Sequence, residues 1–458
     1  MTEQNNILFL RSAATLQNPF NTTEQVLEWI KEQNKKILVD VQQIPFQQMQ
    51  PMWQFDSDGN LRHASGKFFS IEGIRVRTNY GNVQEWEQPI INQPEIGYLG
   101  IITKEIDGIL YFLLQAKVEP GNVNNVQLSP TLQATKSNYS QVHHGNKPLY
   151  LEYFQNAKQE QVLLDQLQSE QGARFLRKRN RNIIIRVEEE IPIYDNFVWL
   201  TLAQIKALAS IDNIVNMDTR TVISGIPLKV DDRLELPNVW CSSMLQNATP
   251  LHKMTEILSW LTSLKCKYEL NVTPIPLSEV EHWRTTDLAI EHEDGRFFKV
   301  IAAQVEINNR EVKTWCQPLV APVLQGLTAF VIKKINGTFH FLVQGKVEPG
   351  NFDIVEMAPT VQCITDNYTG KNNQPFVEYV LQARKEQIRV DTLQSEEGGR
   401  FYQEQNRNLI IEADEQFPVD NLPENYIWVS FQQLMLFLHF NNYLNIQSRS
   451  LISLIRFC

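Results

Sequence analysis

Two short polar motifs, each at the predicted end of an apolar strand, hold the side chains best suited to acid–base chemistry. The motif KVEPGN spans Lys117–Asn122 and occurs again at Lys346–Asn351. Its Pro-Gly pair is typical of a type II turn, which explains those two residues but not the others. Lys117 and Glu119 are two positions apart and therefore project from the same strand face. A lysine beside a carboxylate could stabilise a developing negative charge and move a proton.

A polar segment follows each of these motifs. It reads SPTLQATKSNY in the first case and APTVQCITDNY in the second. A solvated loop is the simpler interpretation, but hydroxyl and amide donors followed by a tyrosine suit a nucleotide or a sugar. The predicted binding residues of the first motif and segment are Asn122, Ser129, Thr131, Gln133, Thr135, Ser137 and Asn138. Tyr139 is a candidate acid.

Two further groups near the first segment could take part in proton transfer. His143 and His144 follow Tyr139 and have no counterpart in the second segment, where the turn reads KNNQP. A loop histidine is usually only solvated, but histidine is the side chain that titrates near neutral pH. We therefore keep His144 as an alternative acid, and Glu152 as an alternative base to Glu119.

A third motif, LQSEQGARF, ends at Phe175 and recurs as LQSEEGGRF, which ends at Phe401. The segment from Asn156 to Leu176 is predicted to be a helix, because Val162, Leu163 and Leu167 would share one face.

The same motif invites comparison with a Nudix box, in which several glutamates on one helix chelate a divalent cation just before a glycine. When Gly172 is aligned with that glycine, Glu170 is the surviving carboxylate, and Glu396 is its counterpart in the second motif. The other positions hold Gln166, Ser169, Thr392 and Ser395. One carboxylate cannot build a multi-oxygen cation site, so no metal site is predicted. Arg174 is interpreted as a partner of Glu170 or of a ligand phosphate.

These motifs occur twice because the chain is one module written twice. LLQAKVEPGN begins at position 113 and LVQGKVEPGN at 342, a shift of 229 that also relates Trp86 to Trp315 and Trp199 to Trp428. We expect modules 1–225 and 226–458, joined near 219–250. The second-copy pocket candidates are Lys346, Glu348, Thr360, Gln362, Asn367, Tyr368 and Arg400.

The pattern of each copy predicts an α+β fold of mixed sheets flanked by helices, with its own sheet and a cleft lined by its KVEPGN strand. A helix is expected after Thr22 or Thr23 and another near 200–209. Asp107-Gly108, and Asn336-Gly337 in the second copy, predict type I′ hairpin turns between apolar strands.

Composition excludes several classes of protein. The net charge of −10 argues against nucleic acid as a partner, and RKRNR at 177–181 is interpreted as a helix end with its exit loop. The five cysteines are scattered and form no metal or disulfide pattern. The sequence shows no signal-peptide or membrane-span pattern, so we expect a cytoplasmic protein. The apolar LISLIRF tail is interpreted as a docked final helix or a dimer contact.

Taken together, QAKVEPGN, QLSPTLQATKSNY, YLEYF and LQSEQGARF resemble the NDP-hexose 2,3-dehydratases of deoxysugar biosynthesis over nearly the whole chain. The resemblance implies two Nudix-like modules and a homodimer. It also implies a dTDP-linked 4-keto-6-deoxyglucose as substrate, loss of its C2 hydroxyl and a 3,4-diketo-2,6-dideoxy product.

Such an elimination needs a base, an oxyanion stabiliser and an acid, but no redox cofactor. The candidates are Glu119 or Glu152 as base, Lys117 as stabiliser, and Tyr139 or His144 as acid. The alternatives are a nucleotide-sugar-binding protein with an inactive Nudix pair, and a nucleotide-sugar hydrolase, against which the missing carboxylates argue.

The first copy is expected to carry the chemistry. Ser129, Thr135 and Ser137 of that copy become Ala358, Ile364 and Asp366 in the second. An added carboxylate beside a diphosphate would be repulsive. A pocket that lies between the copies and draws on both is the alternative.

Overall fold

The structure is a computed structural model that describes residues 3–136, 147–226, 228, 249–309, 312–364 and 374–458. Eight of the residues singled out above lie outside the described residues, namely Ser137, Asn138, Tyr139, His143, His144, Asp366, Asn367 and Tyr368.

The first copy contains five helices and twelve strands within the described residues. The helices are α1 Glu3–Ala14, α2 Thr23–Lys36, α3 Leu151–Gln155, α4 Leu202–Ala209 and α5 Met217–Ser224. The strands are β1 Val39–Ile44, β2 Trp53–Phe55, β3 Leu61–His63, β4 Ser70–Thr78, β5 Glu85–Asn92, β6 Gly97–Ile106, β7 Ile109–Val118, β8 Val126–Ser129, β9 Leu132–Ala134, β10 Val162–Ser169, β11 Arg179–Val187 and β12 Phe197–Thr201.

The second copy repeats this series from its first long helix onward. The helices are α6 Met254–Lys267, α7 Val377–Leu381, α8 Phe431–Phe437 and α9 Ile446–Ser453. The strands are β13 Leu270–Ile275, β14 Trp283–Thr285, β15 Ala289–His292, β16 Phe298–Ile307, β17 Thr314–Pro322, β18 Gly326–Ile335, β19 Thr338–Lys346, β20 Glu356–Ala358, β21 Val361–Ile364, β22 Ile388–Ser395, β23 Gln405–Glu412 and β24 Tyr426–Ser430.

Two local signals in the sequence, a helix cap and a hairpin turn, are confirmed. Thr22 caps α2 with its side chain, in a capping box with Gln25. Asp107 and Gly108 have φ of 52° and 76°, the left-handed conformations that a type I′ turn needs, and they join β6 to β7 as an antiparallel hairpin.

Each copy builds one mixed seven-stranded sheet of its own, with the same strand order. In the first copy the order is β10-β11-β6-β7-β12, with β8 on β7 and β9 on β6. In the second copy it is β22-β23-β18-β19-β24, with β20 on β19 and β21 on β18. The β6–β11 and β18–β23 pairs are parallel. An α+β fold made of two similar halves is therefore confirmed.

The two five-stranded sheets are shared between the copies, which the expectation of one sheet for each copy did not include. β1 of the first copy pairs with β16 of the second, and β13 of the second pairs with β4 of the first. The edge of an antiparallel sheet can pair with the equivalent strand of either copy. The pattern of residues along β1 or β13 therefore does not indicate which copy the strand joins.

The helix predicted over Asn156–Leu176 is wrong, because most of this segment is the strand β10. A register shift between Val162 and Leu164 places the consecutive residues Leu163 and Leu164 in the core, and such a bulge breaks the alternation that identifies a strand. RKRNR is likewise the entry into β11 and not a helix end, with Arg177 at φ 48°.

The core runs continuously across the copies. α5 packs against α9, and each carries a buried arginine that reaches the other copy. Arg220 donates hydrogen bonds to the Ser395 carbonyl and the Ser450 hydroxyl, while Arg449 donates to the Ser169 carbonyl and the Thr221 hydroxyl. The apolar tail packs into this core, which confirms the docked alternative and removes the tail as an argument for a dimer.

Candidate active site

The strand pair β7–β8 brings the first motif and the polar segment together. Lys117 lies opposite Gln127, and Gln115 lies opposite Ser129. Directly opposed residues of an antiparallel pair share a sheet face. The face therefore carries a lysine, two amides and a hydroxyl at the point where β7 ends.

Lys117 and Glu119 form an ion pair. Lys117 Nζ lies 2.7 Å from a Glu119 carboxylate oxygen, and only 11% and 10% of their side chains are exposed. Lys117 Nζ also donates to the Gln133 carbonyl at 3.5 Å. Because water is largely excluded, the two charges attract each other more strongly than a surface pair does. Neutralising one of them therefore has a large effect on the energy of the other.

Asn216 connects the polar segment to a helix. Its Nδ2 donates to Ser129 Oγ at 2.9 Å and to Gln133 Oε1 at 3.3 Å, while its Oδ1 caps α5 through the Thr219 N–H. Sequence reasoning missed Asn216. The available signal was an asparagine N-cap that recurs as Asn445.

The threonine of the segment has a structural use. The Thr131 hydroxyl accepts from the Ile102 N–H at 2.9 Å and donates to the Leu113 carbonyl, which ties β6 to β7. Thr360 makes the equivalent bonds in the second copy. We therefore leave both threonines out of the proposed ligand contacts. Thr135 is half-buried.

The two alternative bases differ in their surroundings. Glu152 lies in the first turn of α3 and is exposed, whereas Glu119 is buried beside Lys117. Burial next to a cation is the environment that holds a base in place, so the geometry favours Glu119.

A loop of the second copy, Glu396–Phe401, covers the first motif. The Gly121 N–H donates to the Gly398 carbonyl at 2.7 Å. A methyl group on Gly398 would lie 2.1 Å from Asn122 Oδ1, and one on Gly121 would lie 1.6 Å from the Phe401 carbonyl oxygen. The first motif is therefore packed directly against residues of the second copy. This packing agrees with the alternative of a site that draws on both copies.

Buried carboxylates surround the Lys117–Glu119 pair, and the sequence analysis missed two of them. Burial raises the pKa of Glu397, with Arg400 opposing and Glu119 adding to the rise. Burial raises the pKa of Asp218 well above its usual value, and the neighbouring Glu397 and Glu170 add to the rise.

Glu170 belongs to the same group of carboxylates. Burial raises its pKa to about 7, opposed by Arg449 and Lys178. Burial also lowers the pKa of Lys178 to about 8, although Glu170 opposes this. Near neutral pH Glu170 is therefore partly protonated, whereas an exposed glutamate would be ionised.

The second copy forms a related arrangement. Lys346 Nζ donates to the Gln362 carbonyl at 2.7 Å, and Gln362 Nε2 donates to Glu348 Oε1 at 3.0 Å. Asn445 Nδ2 completes the chain to Gln362 Oε1 at 2.7 Å. Burial raises the pKa of Glu348, opposed by Lys346 and Arg174.

Arg174 does not partner Glu170 as expected. Its guanidinium lies 4.1 Å from the Phe298 ring centre and faces Glu348 and Glu404 of the second copy. Glu170 instead accepts from Asn180 Nδ2 at 2.7 Å. The loop that carries Arg174 crosses from the first copy to the site of the second copy, and this crossing separates Arg174 from Glu170.

Arg400 is correspondingly next to first-copy residues. Its guanidinium lies 4.1 Å from the Phe69 ring centre, and its Nε donates to Gln93 Oε1 at 3.2 Å. Within the described residues, no group of three His, Cys, Asp or Glu side chains is arranged to hold a metal ion. No helix among those residues is long and apolar enough to cross a membrane.

The two interlocked copies hold a buried lysine–glutamate pair close to amide donors and to carboxylates of raised pKa, an arrangement suited to acid–base chemistry. The model of the NDP-hexose 2,3-dehydratase family matches residues 23–226 and 254–455. The chain belongs to this family of hydro-lyases.

Three curated relatives carry the name dTDP-4-dehydro-6-deoxy-alpha-D-glucopyranose 2,3-dehydratase. The chain is 45% identical to the one from Saccharopolyspora spinosa, over 97% of this chain and 93% of the relative. It is 42% identical to the one from Amycolatopsis orientalis, over 97% and 92%. It is also 42% identical to the one from Streptomyces violaceoruber, over 93% and 96%.

Proposed function

We propose that this chain removes the C2 hydroxyl of dTDP-4-keto-6-deoxyglucose as water and yields the dTDP-linked 3,4-diketo-2,6-dideoxy sugar. The observation that carries the proposal is the buried Lys117–Glu119 pair, which lies beside the donors of Ser129, Gln133 and Asn216. The names of the three relatives supply the substrate class.

The pair can perform the first half of the reaction. The C4 ketone acidifies the C3 proton, Glu119 takes that proton, and negative charge develops on O4. Once Glu119 is neutral, the charge of Lys117 is no longer compensated and can stabilise O4. The sugar then expels the C2 hydroxyl, which leaves as water after gaining a proton, and the C2–C3 enol becomes the 3-ketone. Tyr139 and His144 stay predictions for the acid.

We propose that the chain consists of two modules, 1–225 and 226–458. We assign the chemistry to the site around Lys117 and Glu119 of the first module. Its Ser129 and Asp218 are replaced by Ala358 and Gln447 in the second copy. The second site lacks this hydroxyl and this carboxylate, so we treat it as a degenerate counterpart. The Nudix-like nature of the modules stays a prediction that rests on the resemblance, because the aligned segment is a strand.

Incubation with dTDP-4-keto-6-deoxyglucose tests the function. We expect the ketosugar to be consumed and a product lighter by one water to form. Mass spectrometry measures both changes. Binding without turnover would support the nucleotide-sugar-binding alternative. Release of thymidine monophosphate would support the hydrolase.

Turnover is expected to be independent of divalent cations. The two carboxylates at the former Nudix positions already hold other partners, since Glu170 accepts from Asn180 and Glu396 from Asn406 and Gln171. We expect the same rate before and after dialysis against a chelator. A loss of turnover that magnesium restores would contradict this prediction.

We also propose that the protein is a homodimer in the cytoplasm. The dimer rests on the family resemblance, since the apolar tail is covered by the chain itself, and the location rests on the sequence pattern. Light scattering at micromolar concentration should give twice the chain mass of 53.2 kDa. A mass of one chain would count against the dimer.

A further inference from the structure

The crossing loops of the two copies differ at two positions that face the acid–base sites. Glu397 and Gly399 of the second copy correspond to Gln171 and Ala173 of the first, at the shift of 226 that relates position 175 to 401. Because the loops cross, Glu397 lies at the Lys117 site and Gln171 belongs to the loop at the other site. The duplication has thus left a carboxylic acid at one site and an amide at the other.

Gly399 makes room for two carboxylates. A methyl group on Gly399 would lie 2.3 Å from Glu397 Oε1 and 2.9 Å from Glu119 Oε2. Both oxygens therefore converge on the space that the Ala173 methyl occupies in the other loop. The Gly399 N–H also donates to Glu397 Oε1 at 3.0 Å, which holds that carboxyl group toward Glu119.

Gln171, the counterpart of Glu397 in the first-copy loop, indicates that a hydrogen-bond donor suits this position. Gln171 Nε2 donates a hydrogen bond to Glu396. The corresponding neighbours at the Lys117 site are Glu397 and Glu170, and two ionised carboxylates would repel each other there. A proton on one of them replaces the amide hydrogen and restores the attraction.

Charged groups reach Glu397 from every side. Arg400 comes from its own loop, and Lys117 and Glu119 come from the end of β7. Glu170 comes from the loop after β10, Lys178 directly precedes β11, and Asp218 comes from α5. The neighbouring cations are Lys117, Arg400 and Lys178, but burial and mutual repulsion among the carboxylates still raise the pKa of Glu397 and Asp218. These raised pKa values favour a protonated carboxyl group in this cluster, as the amide at the equivalent position of the other loop also indicates.

The reaction takes protons from the sugar and returns protons to it. Removing water and forming the 3-ketone takes one proton from C3 and one from O3, and returns one to the leaving hydroxyl and one to C2. Glu119 can carry only one proton at a time. A neighbouring carboxyl group that exchanges protons with it would let one proton be removed while another is delivered.

We propose that Glu397, carried by the second copy, is the proton partner of Glu119 and exchanges a proton with it during turnover. This inference rests on the proposed function. Glu397 acts through Glu119 and is a positioning and proton-exchanging residue of the first site. The second copy is then a required part of that site.

The test compares Glu397→Gln with Glu356→Gln. Glutamine at position 397 matches Gln171, and glutamine at 356 matches Gln127, so the fold already accepts both in the other copy. Glu356 is a buried carboxyl group of the second copy whose pKa burial raises to about 7, and it accepts from Ser169 at 2.9 Å.

We expect Glu397→Gln to lower kcat about 100-fold with KM within twofold, as for loss of a proton-transfer group. The wild-type rate should fall as pH rises and the carboxyl group ionises, and this alkaline limb should disappear in Glu397→Gln. Glu356→Gln should keep the wild-type kcat and profile. Wild-type kcat and profile in Glu397→Gln would overturn the inference.

A second matched pair covers the case that Glu397→Gln fails to fold. Gly399→Ala, which separates the two carboxylates, should lower kcat at least tenfold, while Ala173→Gly should leave it unchanged. Equal rates in this pair would also overturn the inference. A wild-type protein that consumes no ketosugar would instead overturn the proposed function itself.

Discussion

Glu119→Gln is expected to lower kcat by about 100- to 1,000-fold, the loss typical of removing a group that acts in the transition state. Glutamine has the same shape and can still hydrogen-bond, but it cannot take the C3 proton. It also leaves Lys117 without its partner at 2.7 Å. The rate is measured by consumption of dTDP-4-keto-6-deoxyglucose under saturating conditions.

Glu348→Gln is the matched control, because Glu348 holds the equivalent place in the second motif beside Lys346. We expect this variant to keep most of the activity. Equal inactivation of both variants would show that the two sites act as one, and an inactive Glu348→Gln beside an active Glu119→Gln would transfer the chemistry to the second copy.

Gly121→Ala is expected to destabilise the whole protein by about 3 kcal/mol or more, since a methyl group has no room to relax there. It would lie 1.6 Å from the Phe401 carbonyl oxygen, in backbone that Gly121 and Gly398 already join by a hydrogen bond. Gly350→Ala should behave alike, because its methyl group would lie 1.7 Å from the Phe175 carbonyl oxygen. The measurement is the urea midpoint of unfolding.

Gly66→Ala controls for the general cost of losing a glycine. Gly66 has φ of 66° and nothing within 4 Å of an added methyl group, so only the left-handed backbone is strained, at about 1–2 kcal/mol. If Gly121→Ala unfolded at the same urea concentration as Gly66→Ala, the tight contact between the copies would be refuted.

Short-range features of this chain were predictable because they depend on neighbouring residues. The turn at Asp107-Gly108 follows from the two residues that must adopt positive φ. Lys117 and Glu119 meet because residues two apart on a strand share a face. The duplication itself needs only a comparison of the chain with itself.

Other interpretations failed where a local pattern had two structural solutions. The bulge at Val162–Leu164 put neighbouring apolar residues into the core, and this pattern imitates the face of a helix. Arg174 was placed with the wrong carboxylate, because its loop crosses to the other copy and nothing in the motif records the crossing.

The sequence by itself determined that the protein is a duplication, that Lys117 and Glu119 share a strand face, and which family the chain resembles. Only the tertiary structure decided that β1 and β13 change places and that Glu397 comes to Glu119 from 278 positions away. The physical reason is that either copy offers the same strand edges and loop surfaces as partners. Packing of the complete chain selects between them, and residue patterns within one copy do not.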